Sequence, residues 1–316
     1  MEIRNNWTIE EVSKIYNTPL LELVAEASNV HKQYQPKNGI FLNTLISVKT
    51  GGCSEDCAYC AQSVHNKTTM NDLSFMNIEQ VKENALEAKN NGVKRVCLST
   101  SGRELDEKDF NIILTMIKEV QQLDMKVCCT LGLLDEEKAL KLKEAGISAY
   151  NHNLDTSENF YSNIITTREY SDRIKTLNIL QKTGIPYCSG GIIGLGEKTK
   201  DRVSMLHTLA TMGKHPYNFP INRLVPIEGT PLEKNEIISV YEVIRTIATA
   251  RILMPKTIIA LAAGRISISE EGQALCFLAG ANSIFAGSKL LTTPNNSINS
   301  DNDMLQTFGL NIIIPS

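Results

Sequence analysis

The sequence has few aromatic residues, no long apolar run and no excess of charge of either sign. No apolar stretch approaches the roughly 20 residues that a membrane-spanning helix needs, so we expect no membrane association. The formal net charge of -3 argues against a nucleic-acid partner, which would favour a basic surface. The N-terminus also lacks the apolar segment of a secretion signal. These absences predict a cytoplasmic protein that acts on a small molecule.

The chain has eight cysteines, yet a disulfide framework is not expected. Cytosolic thiols are kept reduced, so metal or cluster binding explains these cysteines better than disulfides do. Hydrophobic residues at 42% and charged residues at 21% are typical of a globular protein. A chain of 316 residues can bury about three quarters of its unfolded surface. No linker-like segment divides it, so one domain is expected.

Short apolar runs alternate with amphipathic ones of helical period, which predicts repeated βα units. The predicted strands are residues 42–49, 94–99, 126–131, 149–153, 186–193, 219–224, 257–262 and 283–285. The predicted helices between them are residues 78–89, 109–123, 136–145, 170–183, 200–212, 237–253 and 270–279. Eight such units fit an α/β fold of the TIM-type (β/α)8 barrel, whose chemistry lies at the C-terminal ends of the strands. We expect a helical N-terminal extension at residues 1–37, the barrel at 38–310 and a short tail at 311–316.

Three cysteines follow the first predicted strand directly, in the segment at residues 51–60, here called the cysteine loop. Cys53, Cys57 and Cys60 supply three thiolates, so a four-iron cluster held by them keeps one iron free for an outside ligand. A structural zinc site would normally have four ligands, often as two Cys-x2-Cys pairs, and the sequence has no second pair of that form. Structural zinc and inert thiols remain the alternatives.

The cysteine loop resembles the signature of the radical S-adenosylmethionine enzymes. This resemblance implies a [4Fe-4S] cluster whose free iron is chelated by S-adenosylmethionine, which is then cleaved to a 5′-deoxyadenosyl radical. It also implies that Tyr59 lies against the adenine. The alternative is that Tyr59 is a loop aromatic that covers the cluster from water. Partial barrels of six strands occur among these enzymes, so closure by the last two strands is the less secure part of the fold prediction.

A second set of cysteines, here called the strand cysteines, lies within predicted strands. Cys97, Cys128 and Cys188 come from three different strands, and side chains of a barrel strand alternate between the interior and the helix layer. The three thiols can therefore converge inside the barrel and hold a second cluster. Each one alone is better interpreted as a small buried hydrophobic residue, and it is the set of three that favours a cluster.

The sequence resembles the biotin synthases from residue 7 to about residue 310. The runs that carry this resemblance are residues 150–157, 163–168, 188–197, 273–277, 279–285 and 289–294. The resemblance implies that the strand cysteines bind an auxiliary cluster of the [2Fe-2S] type, which donates sulfur to C6 and C9 of dethiobiotin. It further implies an electron donor such as flavodoxin or ferredoxin, and a homodimer.

The resemblance also implies roles for polar residues at strand ends. Asn153, Asp155 and Arg173 match positions that hold S-adenosylmethionine, and Asn151 and Asn222, together with Asn153, match contacts to dethiobiotin. Each could instead make an ordinary turn or cap hydrogen bond.

The glycine-rich run at residues 190–194, which contains Ile192, predicts a strand end where the backbone approaches the adenine.

Two segments depart from the family pattern. Ala260 occupies the position at which the usual member has an arginine that ligates the auxiliary cluster, and alanine cannot ligate iron. Cys129 could supply a ligand only through a bulge, because adjacent strand residues point to opposite faces. Residues 99–102 replace a small-residue turn that ends in tryptophan. These departures keep open a radical enzyme of the same barrel type with another substrate, or a non-catalytic iron-sulfur scaffold.

Overall fold

Parallel strands alternate with helices and close into a barrel with eight strand positions in the computed structural model, which describes residues 3–69, 75–287 and 289–313. The barrel strands are β1 (Gly39–Lys49), β2 (Arg95–Thr100), β3 (Lys126–Thr130), β4 (Ala149–Asn151), β5 (Tyr187–Cys188), β6 (Gly191–Ile193), β7 (Asn218–Arg223), β8 (Ile258–Leu261) and β9 (Ser283–Phe285). Pairing of β9 with β1, with Phe41 opposite Ser283, closes the barrel. The predicted TIM-type barrel is therefore confirmed.

The predicted strand at residues 186–193 is divided into two short strands, β5 and β6, which together occupy one strand position of the barrel. Cys188 of β5 pairs with Asn218, whereas Gly191 of β6 pairs with Ile221, further along β7. A Cβ atom added to Gly190 would lie 2.0 Å from the carbonyl oxygen of Pro220, so the backbone at the break packs directly on the neighbouring strand. Only glycine fits there, and the strand pattern alone could not show the break.

Helices cover the outside of the barrel close to the predicted segments. They are α3 (Ile78–Asn90), α4 (Glu107–Gln122), α5 (Glu136–Glu144), α6 (Glu158–Tyr161), α7 (Tyr170–Thr183), α8 (Thr199–Thr211), α9 (Val240–Leu253), α10 (Glu270–Leu278) and α11 (Ile298–Thr307), with a 3-10 turn at Arg265–Ser267. Asn77 begins α3 with a reciprocal capping box, and Gly184 ends α7 in the left-handed conformation at φ 75°. Helices α6 and α11 were not predicted from the sequence.

Two helices, α1 (Ile9–Tyr16) and α2 (Leu20–Tyr34), make up the N-terminal extension. Helix α1 packs against α8, and α2 packs against α9. The Tyr16 hydroxyl donates to Glu242 at 3.0 Å and accepts from Arg202 at 2.9 Å, which ties α1 to both barrel helices. In the part of the chain that the structure describes, no helix is long and apolar enough to cross a bilayer.

The C-terminal residues that the structure describes form three further strands that are not part of the closed barrel. A hairpin joins β10 (Lys289–Leu290) to β11 (Thr293–Pro294), and β12 (Asn311–Ile313) pairs in parallel with the first residues of β1. The first half of the predicted tail is thus part of the sheet. Residues 314–316 of that tail lie outside the described residues.

A fully buried ion pair attaches α11 to the barrel, and its loss is expected to destabilise the fold. The Arg265 guanidinium binds both carboxylate oxygens of Asp301, at 2.7 and 2.8 Å, and neither side chain is exposed. Asp301→Ala would leave a buried cation without its partner, which typically costs about 3–5 kcal/mol. Thermal unfolding of the anaerobic protein should show a clear fall in Tm. The matched control, Asp303→Ala, changes an exposed residue of the same helix and should leave Tm nearly unchanged. Equal Tm values for both variants would contradict this role.

Candidate active site

The cysteine loop lies at the C-terminal end of β1 and folds back on itself. The Cys53 amide donates to the Gln62 carbonyl at 2.9 Å, and the Asn66 side chain donates to the carbonyls of Cys57 and Cys60 at 3.1 and 2.8 Å. These bonds fix the backbone on both sides of the cysteines. All three cysteines border one cavity of about 330 Å³ at this end of the barrel.

Two thiols of the loop, Cys57 and Cys60, are held in surroundings that disfavour free thiolates. Burial raises the pKa of Cys57 to about 12 and that of Cys60 to about 11. A bound cation reverses this, because metal coordination deprotonates a thiol. Within the described ranges, no three His, Cys, Asp or Glu side chains are placed to hold a single metal ion. Three converging thiols of this kind instead suit a four-iron cluster, which takes one cysteine per iron.

A buried polar network lies beside the cysteine loop on the same cavity. The Tyr59 hydroxyl donates to Oδ2 of Asp155 at 2.9 Å, and the Arg173 guanidinium donates to the same oxygen. Arg173 also donates through Nε to the Tyr161 hydroxyl at 3.1 Å. Asp155 has φ 67°, a left-handed conformation that is uncommon for non-glycine residues and most accessible to aspartate and asparagine. The sequence placed Tyr59, Asp155 and Arg173 near one cofactor, and the structure brings them into mutual contact.

A second ion pair behind the loop was missed by the sequence analysis. Arg168 lies 3.5 Å from Glu55, and its Nη2 atom lies 3.6 Å from the Cys57 sulfur. Glu55 also accepts from the Thr167 hydroxyl at 2.6 Å and contacts Arg103 at 3.3 Å. The signal was present, since Glu55 belongs to the cysteine loop and Arg168 to one of the matched runs. The cation is close enough to stabilise negative charge on the loop sulfurs.

The strand cysteines converge inside the barrel. Cys97 is in register with Cys128, and Cys128 with Ala149, while Cys188 is in register with Asn151. The three thiols and Ala149 form one buried cluster, separate from the core of the helix layer. Cys129 belongs to that helix-side core, so the prediction that it points away from the strand cysteines is confirmed.

The surroundings of the strand cysteines contain buried polar atoms without partners. Ala260 is fully buried, in register with Pro220 and Ser283, and its methyl group offers no ligand. In the described part of the chain, the side-chain oxygens of Asn43 and Asn218 and the Nε of Arg95 are buried without a hydrogen-bond partner, and all three residues border the cavity. Unsatisfied buried groups are rare in native proteins. Three thiols beside such atoms fit a polar iron-sulfur group bound at this place.

The predicted substrate and cofactor residues of β4 to β7 border the same cavity. Asn153 accepts from the Gly190 amide at 3.1 Å, and Asn222 donates to the Gly191 carbonyl and accepts from the Ala263 amide, each at 3.1 Å. Asn151 and Ile192 lie partly buried on the cavity wall. These asparagines therefore combine the predicted strand-end position with structural bonds.

The missing side chains of Gly190 and Gly191 leave room for packing within the protein. A Cβ atom on Gly191 would lie 2.2 Å from the Met205 sulfur and 2.8 Å from the Asp155 carbonyl oxygen. Contacts within the protein thus account for these two glycines, and an approach of their backbone to the adenine stays a prediction.

The divergent segment at residues 99–102 supports the cysteine loop. Ser101 donates through its amide to the Lys49 carbonyl at 3.0 Å and through its hydroxyl to the Gly51 carbonyl at 2.5 Å. The whole segment borders the cavity. Its backbone and hydroxyl groups thus lie where the cofactor was expected.

Comparisons with known proteins agree with this geometry. A profile of the Radical SAM superfamily matches residues 47–209, and one of the Biotin and Thiamin Synthesis associated domain matches residues 220–311. The biotin synthase of Cytophaga hutchinsonii is 53% identical, over 98% of this chain and 92% of that protein. The biotin synthases of Schizosaccharomyces pombe (50% identical, 98% and 86%) and Synechococcus elongatus (51%, 97% and 96%) are similar to it as well.

Solved structures show the same fold at low identity. Methylornithine synthase has a TM-score of 0.82 at 22% identity, over 97% of this chain and 94% of that one. The FeFe-hydrogenase maturase of Carboxydothermus hydrogenoformans has a TM-score of 0.84 at 16% identity, over 96% and 75%. The barrel is thus shared widely, while the identities near 50% are with biotin synthases. The chain belongs to the biotin synthase family, whose members are radical S-adenosylmethionine sulfurtransferases.

Proposed function

We propose that this chain converts dethiobiotin to biotin by inserting sulfur at C9 and C6, with the cysteine loop and the strand cysteines each holding one cluster. The observation that carries the proposal is that both sets of thiols border one cavity. The loop lies at the strand ends, whereas the strand cysteines lie further inside. A substrate bound between them would face a radical source on one side and a sulfur source on the other.

The bound groups supply the hard chemistry. The cysteine loop would hold a [4Fe-4S] cluster with S-adenosylmethionine, which would supply radical chemistry at the two carbons, and the strand cysteines would hold the cluster that would supply the sulfur. The protein contributes position and exclusion of water. Apolar walls such as Leu45, Pro220 and Phe285 border the cavity and protect a reactive radical from quenching.

The buried network of Tyr59, Asp155 and Arg173 is the proposed site for S-adenosylmethionine. The Asp155 carboxylate suits a ribose hydroxyl, and the Arg173 guanidinium suits the methionyl carboxylate, since arginine pairs well with carboxylates. Both are nearly fully buried, so the bonds they make are strong. Asn153 and Ile192 border the same space and would complete the pocket.

Asn151, Asn153 and Asn222 are the proposed contacts to the ureido ring. An amide offers a donor and an acceptor, which matches a urea group. The bonds of Asn222 to Gly191 and Ala263 fix its orientation and still leave one N–H and one lone pair for substrate. Preorganisation of this kind favours binding because little side-chain freedom is lost.

For the auxiliary cluster we propose the [2Fe-2S] type, held by the three strand cysteines with a fourth ligand that does not come from residue 260. The cluster is held deep among buried residues, which limits access of solvent to its sulfur. The proposal also includes a single barrel domain in a homodimer, a cytoplasmic location and an electron donor such as flavodoxin or ferredoxin.

Replacement of Tyr59 distinguishes stacking on the adenine from mere cover of the cluster. Tyr59→Ala is expected to weaken S-adenosylmethionine binding about 5- to 150-fold, because stacking of an aromatic ring on a base is worth about 1–3 kcal/mol. Tyr59→Phe keeps the ring, loses the bond to Asp155 and should weaken binding far less. Equilibrium binding to the reconstituted protein measures both. Equal affinity of Tyr59→Ala and the unchanged protein would contradict stacking.

Product analysis tests the proposed function itself. Reduced, anaerobically reconstituted protein given dethiobiotin and S-adenosylmethionine should form biotin and 5′-deoxyadenosine. Deoxyadenosine without biotin would favour a radical enzyme with another substrate, in line with Ala260 and the divergent residues 99–102. Formation of neither product would favour a non-catalytic scaffold.

A further inference from the structure

One buried cation shares the interior wall with the strand cysteines. Arg95 lies two residues before Cys97 on β2, so both side chains point to the same face of the sheet. The residue is only 5% exposed and borders the cavity. Its electrostatic interactions include Cys188 and Cys128. A guanidinium is therefore buried next to three potential thiolates.

Tyr217 fixes the orientation of this guanidinium. Arg95 donates through Nη2 to the Tyr217 hydroxyl at 2.6 Å, and its central carbon lies 4.7 Å from the centre of the Tyr217 ring. Tyr217 also packs against the cluster formed by the strand cysteines. Both a hydrogen bond and a cation–π contact thus hold one end of the guanidinium.

The other side of the same guanidinium has a free donor. The Nε atom of Arg95 is buried, and no residue that the structure describes accepts a hydrogen bond from it. A buried, unpaired donor on a cation is costly, so a partner is expected from outside the protein chain. The neighbouring oxygens of Asn43 and Asn218 are acceptors, which cannot bind anionic sulfur themselves. Of these three unpaired atoms, Arg95 Nε is the one that can donate a hydrogen bond to sulfur.

Resting on the proposed function, we propose that Arg95 donates its Nε–H to a sulfur of the auxiliary cluster or its thiolates and offsets their negative charge, and that Tyr217 is the residue that positions it. Hydrogen bonds to sulfur and net charge both set the reduction potential of an iron-sulfur cluster. Because Ala260 brings no cation to the site, this role falls to Arg95. A positive charge with a donor at the sulfur stabilises the reduced cluster and raises its potential.

The potential of the auxiliary cluster tests this role directly, without reliance on turnover. In an anaerobic redox titration followed by EPR and absorption, Arg95→Gln should lower the equilibrium constant for one-electron reduction about tenfold or more, that is about 59 mV or more. Arg95→Lys keeps the charge and should recover part of this shift. Tyr217→Phe keeps the ring but frees the guanidinium, and it should give a smaller shift in the same direction.

Two matched variants and the first cluster serve as controls. Lys94→Gln removes a charge next to Arg95 in sequence whose side chain points to the opposite face of the sheet, and Tyr187→Phe removes a hydroxyl next to Cys188 that bonds to the Lys214 carbonyl. Both should leave the auxiliary potential nearly unchanged, and all variants should leave the [4Fe-4S] potential unchanged.

The possible outcomes separate this inference from the proposed function. A second cluster whose potential is the same in Arg95→Gln, or equally shifted by Lys94→Gln, overturns the role of Arg95. If Arg95→Gln folds but loses the second cluster, a second cluster retained in Arg95→Lys supports the role. Loss of the second cluster from both variants, together with an unchanged auxiliary potential in Tyr217→Phe, overturns it. Absence of a second cluster in the unchanged protein overturns the proposed function instead.

Discussion

Cys57→Ser is expected to abolish reductive cleavage of S-adenosylmethionine. The residue is buried in the cysteine loop, bordered by Arg168, and the loop provides only three thiolates. Loss of one leaves two ligands for a four-iron cluster, which normally requires at least three cysteines when one iron binds an outside ligand. Activity should fall toward the uncatalysed rate, about 10⁶-fold or more below that of an enzyme. Deoxyadenosine formed in the presence of a chemical reductant measures the effect.

The control for this experiment is Cys276→Ser. Cys276 is fully buried in α10, in the core of the helix layer, so its replacement tests the general cost of a changed buried thiol. This variant should retain the [4Fe-4S] signal and the cleavage activity. Retention of cleavage in Cys57→Ser would show that the cluster is bound elsewhere.

Cys188→Ala is expected to separate the two halves of the reaction. The strand cysteines lie apart from the cysteine loop in sequence, and their thiols form their own buried cluster. Loss of one thiol should remove the auxiliary cluster and with it the sulfur source, so biotin formation should fall to background. The [4Fe-4S] cluster and the cleavage of S-adenosylmethionine should remain. Iron content, EPR and product analysis measure the three quantities.

Cys129→Ala is the matched control for Cys188→Ala. Cys129 is the neighbour of Cys128 in sequence, yet its side chain lies in the helix-side core. Both clusters and biotin formation should persist in this variant. If Cys188→Ala kept both cluster signals, or if Cys129→Ala lost one, the assignment of the strand cysteines would be wrong.

Much of this arrangement follows from local patterns in the sequence. Strand and helix periods gave the βα repeat, and the alternation of side chains on β3 correctly separated Cys128 from Cys129. The position of the cysteine loop after β1 follows from the same repeat, because parallel barrels place their chemistry at the C-terminal strand ends. These features depend only on near neighbours in the chain.

Contacts between residues that are far apart in the chain could not be predicted from the sequence. The hydrogen bond between Arg95 and Tyr217 joins residues that are 122 positions apart in the sequence. Neither residue belongs to a recognisable sequence motif. The close packing of Gly190 on Pro220 likewise depends on the relative position of two strands. The partners of Glu55 are of the same kind. Such contacts require the three-dimensional register, which periodicity does not specify.

Mössbauer spectroscopy of protein enriched in ⁵⁷Fe and prepared without oxygen tests most directly whether one barrel holds two clusters. We predict about six irons per chain in two distinct cluster signals, with only the auxiliary signal lost in Cys188→Ala. A single [4Fe-4S] signal in the unchanged protein, with no second iron environment, would contradict the account.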